Sequence, residues 1–108
     1  YRKQAAVVLQ EKAERFAKLL SVEFEDIRIK DQKSRWGSCS SKGNLNFNCL
    51  LGLVPSEVLD YVVVHELCHR KELNHSDRFW NEVSRILPDY KTRKQWLKDN
   101  GPSLIARI

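Results

Sequence analysis

All three histidines of this 108-residue chain fall between positions 65 and 75, two of them in the pentapeptide His65-Glu66-Leu67-Cys68-His69. Imidazole is the commonest side-chain ligand of catalytic zinc. On a helix, residues i and i+4 share a face, so His65 and His69 can aim at one ion. Glu66 projects beside them, placed to take a proton from a water whose pKa a bound zinc lowers from about 15.7 to about 7. These residue types at this spacing point to peptide-bond hydrolysis, with Glu66 as general base and one zinc per chain. By ordinary residue frequencies H-E-x-x-H arises by accident in so short a chain about a few times per thousand sequences, so its surroundings must add support. The preceding Tyr61-Val62-Val63-Val64 does so, because a stretch apolar on all sides marks a buried helix. Two imidazoles and a carboxylate on such a helix cost on the order of several kcal/mol unless they are paired or bind a metal. The plainer reading, a core histidine, a helix-end histidine and a surface acid, leaves that cost without a return.

A tetrahedral catalytic zinc takes three protein ligands and keeps a fourth place for water. His75 is the expected third. The helix should fray near Lys71 to Leu73, and Asn74, which tolerates the left-handed region, can reverse the chain and bring His75 under the metal. Ser76, followed by Asp77, reads as the cap of the next helix. The spacing equals that of the metzincins, but Glu72 stands where their signature has glycine and a chain without methionine has no Met-turn, so a true metzincin is rejected. The rival third ligand is Glu82, in the manner of enzymes with two histidines and a glutamate.

Length bounds the chain to one domain over residues 1–108, with room for a modest core. It starts at Tyr1 without an initiator methionine, which is compatible with a domain taken from a longer chain. There is no apolar run that could span a bilayer and no signal segment, so no membrane partner and a cytoplasmic location are expected. Cys39, Cys49 and Cys68 are odd in number and lack C-x-x-C spacing, which argues for reduced thiols rather than a disulfide framework. The formal charge of +5 raises nucleic acid as an alternative partner, or a protease acting on DNA-bound protein. Its densest basic segment, Lys91, Arg93, Lys94 and Lys98, reads as spread around a helix rather than along one stripe.

The elements that must position these residues follow from periodicity. Ala6, Leu9, Ala13, Phe16 and Leu20 recur at helical intervals from Lys3 to about Leu20. Phe24 to Lys30 alternates as a half-buried strand, a second strand covers Ser34 to Ser40, and after a turn at Ser41-Lys42-Gly43-Asn44 a third runs through Leu45, Phe47 and Cys49. Short links suggest a small antiparallel sheet. Pro55-Ser56 opens the histidine helix with Ser56 as its cap, and two closing helices span about Asp77 to Leu87 and Asp89 to Asn100, divided by Pro88 and stopped by Gly101. The expected class is α+β.

Several runs go further: Arg35-Trp36-Gly37-Ser38-Cys39, then Gly43, Leu45, Asn48 and Pro55, then Asp60 through His69, and Asn74-His75-Ser76 with Phe79-Trp80. Together they closely resemble the YgjP-like metallopeptidase family, with related logic in the WLM and SprT-like zincins. The resemblance implies a zincin-like fold, a peptide or protein substrate, His65, His69 and His75 as zinc ligands and Glu66 as the base. Around that centre, Tyr61, one turn before His65, and Tyr90 are both candidates to donate to an oxyanion. Arg35 can contact substrate or pair with Asp60, and Asn48 ends a strand whose edge could align an extended peptide. Trp36 reads first as a core aromatic. Asp60 and Asp77 read as helix-end residues or as acceptors for ligand N–H groups.

Overall fold

The computed structural model describes residues 2–30, 36–40, 42–48, 51, 54–72 and 74–105. It opens with helix α1, Arg2–Leu20, whose buried Leu9, Ala13, Phe16, Ala17 and Leu20 follow the helical repeat expected of them. The helix stops where Ser21 turns into the left-handed region at φ 58°. Val22 N–H then reaches back to the Ala17 carbonyl at 3.0 Å, an end normally taken by glycine.

Three short strands follow: β1 Asp26–Lys30, β2 Gly37–Cys39 and β3 Asn44–Asn48. Ser40 and Gly43 close the β2–β3 hairpin, with Gly43 at φ +93° and its N–H on the Ser40 carbonyl. The expectation of an antiparallel sheet is corrected: the order is β1-β3-β2, with β1 parallel to β3 and only β2 antiparallel. The reason lies in the apolar face. Beside β3, Ile27 and Ile29 stand in register with the buried Leu45 and Phe47, which continues one hydrophobic surface across the sheet. The tight hairpin already places β2 on the other edge of β3. The parts of the expected second strand at residues 34 and 35, and of the third at Cys49, lie outside the described residues.

Helix α2, Ser56–Cys68, runs through the centre, packed against α1, β2 and the two closing helices. Nine of its thirteen residues are buried, which explains why its sequence shows no polar stripe. Its cap position is Pro55 rather than Ser56; Ser56 instead accepts a hydrogen bond from Lys12 at 3.1 Å. Helix α3, Asp77–Ile86, buries Phe79 and Val83 one turn apart, and its cap falls at Ser76 as expected, without a side-chain hydrogen bond. Helix α4, Tyr90–Ile105, departs from expectation by running through Gly101 and Pro102. Gly101 does not stop it because that glycine serves packing: a Cβ there would lie 3.2 Å from Trp36 Cζ2. Among the described residues no helix is long and apolar enough to cross a membrane.

Candidate metal centre

Helix spacing does what the pentapeptide requires. His65 on α2 and His69, the cap residue at its end, lie one turn apart, their ring centroids 5.0 Å from each other. The α2 ladder ends at Cys68, and the chain tightens through Lys71 and Glu72, both of whose N–H groups donate to the Cys68 carbonyl at 3.0 Å. Asn74 does not take the left-handed region; among the described residues Ser21 is the non-glycine that does. His75 arrives with its ring 5.1 Å from His65 and 4.8 Å from His69. One ligand atom from each of the three lies within 4.8 Å of the others. Glu82, the rival ligand, is held elsewhere on α3 by Arg85 at 2.9 Å and Lys71 at 3.6 Å. Those cations keep its carboxyl below the usual range, the Arg85 hydrogen bond foremost.

The donor set fits a metal. A carbonyl can only accept, so the 3.1 Å contact of His69 Nδ1 with the Glu72 carbonyl places the proton on Nδ1 and leaves Nε2 with its lone pair. His65 Nδ1 likewise faces Glu66 Oε2 at 3.2 Å. Such outer partners are what fix the tautomer of metal-binding imidazoles. Three imidazole nitrogens so grouped, with a place left for water, are the donor set of a catalytic zinc site. His75 is more exposed, and burial, then the neighbouring His65 and His69, hold its imidazole below the ordinary range, favouring the neutral ligand form.

Phe79 underlies all three rings. It is fully buried, stacks on His69 at 4.6 Å, and meets His65 and His75 edge-on at 5.1 and 5.0 Å. Trp80 stands beside His65 and His75 at 6.0 and 5.9 Å. The α3 aromatics thus give the cluster an apolar wall.

Next to the histidines opens a cavity of about 270 Å³, lined by Trp36, Gly37, Tyr61, Val62, His65, Glu66, Lys94 and Leu97. Glu66 is 5% exposed there. Gly37 leaves it room: a Cβ at that position would meet Glu66 Cγ and Oε2 at 3.2 Å. Tyr61 is buried in the same cavity, 5.8 Å from His65 between ring centres. Burial, then Glu66 and Tyr90, push its phenol well above the ordinary range, so it stays protonated. Tyr90 sits farther along, stacked on Trp80 at 5.2 Å. Trp36 packs on the core as expected and also lines the cavity.

Other expectations are corrected. Asn48 is fully buried at the end of β3, and β3 is the middle strand, so it offers no free edge. Among the described residues the outer strand near Glu66 is β2, through Gly37. Asp60 lies away from the histidines and binds Lys12, with Arg15 and Arg93 at 3.9 and 3.7 Å. Arg35 lies outside the described residues. Asp77 is exposed at the start of α3. Nor are the α4 lysines dispersed: Lys91, Lys94 and Lys98 line one groove, while Arg93 turns away to Asp89 and Asp60. Positions i, i+3 and i+7 share a helix face, which the sequence spacing already contained. Sequence reasoning also passed over Gly37 and Phe79. A glycine inside a strand, the mark of close approach, was the available signal for the first.

Comparison with known proteins places this arrangement. Two solved structures, the metallopeptidase zymogens abylysin of Pyrococcus abyssi and jannalysin of Methanocaldococcus jannaschii, superpose with a TM-score of 0.76 each at 23% identity. They cover 84% and 85% of this chain and 93% and 95% of their own, a likeness of fold. No curated protein sequence matches. The model of the YgjP-like metallopeptidase domain matches residues 1–100, and with nearly the whole chain inside that match, the protein belongs to the YgjP-like metallopeptidase family.

Proposed function

We propose that the protein is a zinc-dependent peptidase in which His65, His69 and His75 hold the ion and Glu66 is the general base. The convergence of three ring nitrogens within 4.8 Å, beside a buried carboxylate that lines a cavity, carries this reading. When bound, zinc supplies Lewis acidity toward the scissile carbonyl and lowers the pKa of water to about 7. Glu66 takes the proton of the attacking water and passes it to the leaving amine, a transfer worth about 10²–10⁴-fold in rate. The missing side chain at Gly37 leaves space for its carboxylate, which His65 Nδ1 faces at 3.2 Å. Tyr61, protonated and in the cavity, donates to the oxygen that gains charge as the amide carbon becomes tetrahedral. Tyr90, committed to Trp80, is the less suited of the two tyrosines.

Metal analysis and cleavage of a diverse peptide library test this together. Glu66→Gln should keep stoichiometric zinc and lose turnover by at least about 10²-fold. Tyr61→Phe should lower kcat about tenfold to a hundredfold with little change in KM, whereas Tyr90→Phe should not. Undiminished hydrolysis by Glu66→Gln would remove the base, and full zinc retention by His65→Ala would show that the ligand set is wrong.

A further inference from the structure

The cavity beside Glu66 and the groove along α4 share one residue, Lys94. The groove, about 580 Å³, is lined by Trp80, Tyr90, Lys91, Lys94, Gln95 and Lys98. Its three ammonium groups have no carboxylate within ion-pair distance among the described residues; the nearby acids are engaged elsewhere, Asp89 by Arg93 and Asp99 by Gln95. Three uncompensated cations on one face make a strongly positive strip that begins at the reacting centre. Lys94 Nζ, 4.6 Å over the Trp80 ring, marks where the strip meets the aromatic wall of the histidine cluster.

We propose that this strip binds acidic side chains of the substrate, so that the enzyme selects extended peptides carrying Asp or Glu on one side of the scissile bond. The inference rests on the peptidase reading above. Its geometry suits an extended chain. At 1.5 Å rise per residue, Lys94 and Lys98 lie about 6 Å apart along the α4 axis. Side chains on one face of an extended peptide recur at about 6.6–6.8 Å, so acidic residues at alternate positions fall near Lys94 and Lys98, with Lys91 adding charge about one turn earlier. Nucleic acid fits the same charge less well. Base stacking needs free aromatic faces. Trp80 already stacks on Tyr90 at 17° and His75 at 26° and carries Lys94 above it.

The test uses three fluorescein-labelled peptides with one common apolar core and Glu, Gln or Lys at alternate flanking positions. Cleavage by the zinc-loaded enzyme and binding, read by anisotropy, are measured for each. Exposed ion pairs are individually weak, so kcat/KM for the Glu peptide should exceed that for the Gln peptide by about fivefold at low salt, and the Lys peptide should be poorest. The preference should shrink in 0.5 M salt, where screening acts within about 4 Å. In Lys91→Gln/Lys98→Gln the Glu-to-Gln ratio should approach one, while Lys91→Arg/Lys98→Arg keeps it. Equal handling of the Glu and Gln peptides by wild type, or an undiminished ratio in the double Gln variant, would overturn the proposal. So would a DNA oligonucleotide that binds more tightly than the Glu peptide and loses binding in that variant. If no peptide is hydrolysed the peptidase reading fails, and the anisotropy ratio still decides whether the lysine face takes acidic chains.

Discussion

A methyl group at position 37 would stand 3.1 Å from the Asn46 carbonyl oxygen and 3.2 Å from Cγ and Oε2 of Glu66. The carbonyl belongs to the sheet and cannot yield; the carboxylate is the far end of a side chain and can. Gly37→Ala should therefore displace Glu66 rather than unfold the protein, with kcat falling about tenfold or more, since misplacement by about 1 Å can cost 10²-fold. Stability should drop by only about 1–3 kcal/mol. Steady-state kinetics alongside urea melts would check this, and an unaltered kcat would show that the proposed base, Glu66, does not depend on the room Gly37 leaves. The contrast with the histidines explains what was legible at this scale. His65, Glu66 and His69 share a helix, whose repeat converts spacing into geometry directly. Gly37 and Phe79 reach the same centre from other elements, and no local rule says which strand glycine or helical aromatic will meet it.

Among elements, α2 is held by one carboxylate as much as by its apolar surface. Asp60 engages Lys12 and Arg15 from α1 and Arg93 from α4, and the Arg93 guanidinium also donates to the Glu57 carbonyl at 2.9 Å. The Lys12 and Arg93 side chains are only 13% and 16% exposed, so removing Asp60 takes a carboxylate from two largely buried cations, of which Arg93 keeps Asp89. Asp60→Ala should cost about 2–3 kcal/mol, less than the 3–5 kcal/mol of a fully buried pair and more than a surface one. The urea midpoint should fall with the slope unchanged. A loss under about 0.5 kcal/mol would mean that solvent compensates the cations. Element order, and each helix and strand to within a few residues, could be read from periodicity. The pairing of β1 with β3 could not, because nothing between β1 and β2 carries hairpin chemistry, and the register that joins Ile27 and Ile29 to Leu45 and Phe47 depends on the assembled face. Nor could the passage of α4 through Gly101, where contact with Trp36 overrides the usual stop signal.

For the molecule as a whole, the proposed ion would join α2 to the segment that leads into α3, so metal and fold should be thermodynamically linked. Zinc at 100 times its Kd would add about 2.7 kcal/mol to stability. For a chain of this size that is about 10–20 °C in Tm, and chelation should remove it. Protons compete for the same nitrogens, so the zinc-induced shift should shrink as pH falls from 7.5 to 5.5. The metal-free protein should show a weaker dependence of the same sign. Burial, then His65 and His69, lower the His75 imidazole below the 6.5 of an unperturbed side chain. The unfolded chain therefore takes up this proton first. His75 contributes its stability above the unfolded value and loses it as pH drops from about 6.5 toward the lower folded value, below which the dependence ends. Urea midpoints of the chelated wild type and of His75→Gln, measured from pH 7.5 to 5, separate this from other titrations. The wild type should lose more over that range than the variant. Parallel curves would show that His75 is not held neutral by its neighbours, and a Tm indifferent to both zinc and chelator would detach the histidine cluster from metal altogether.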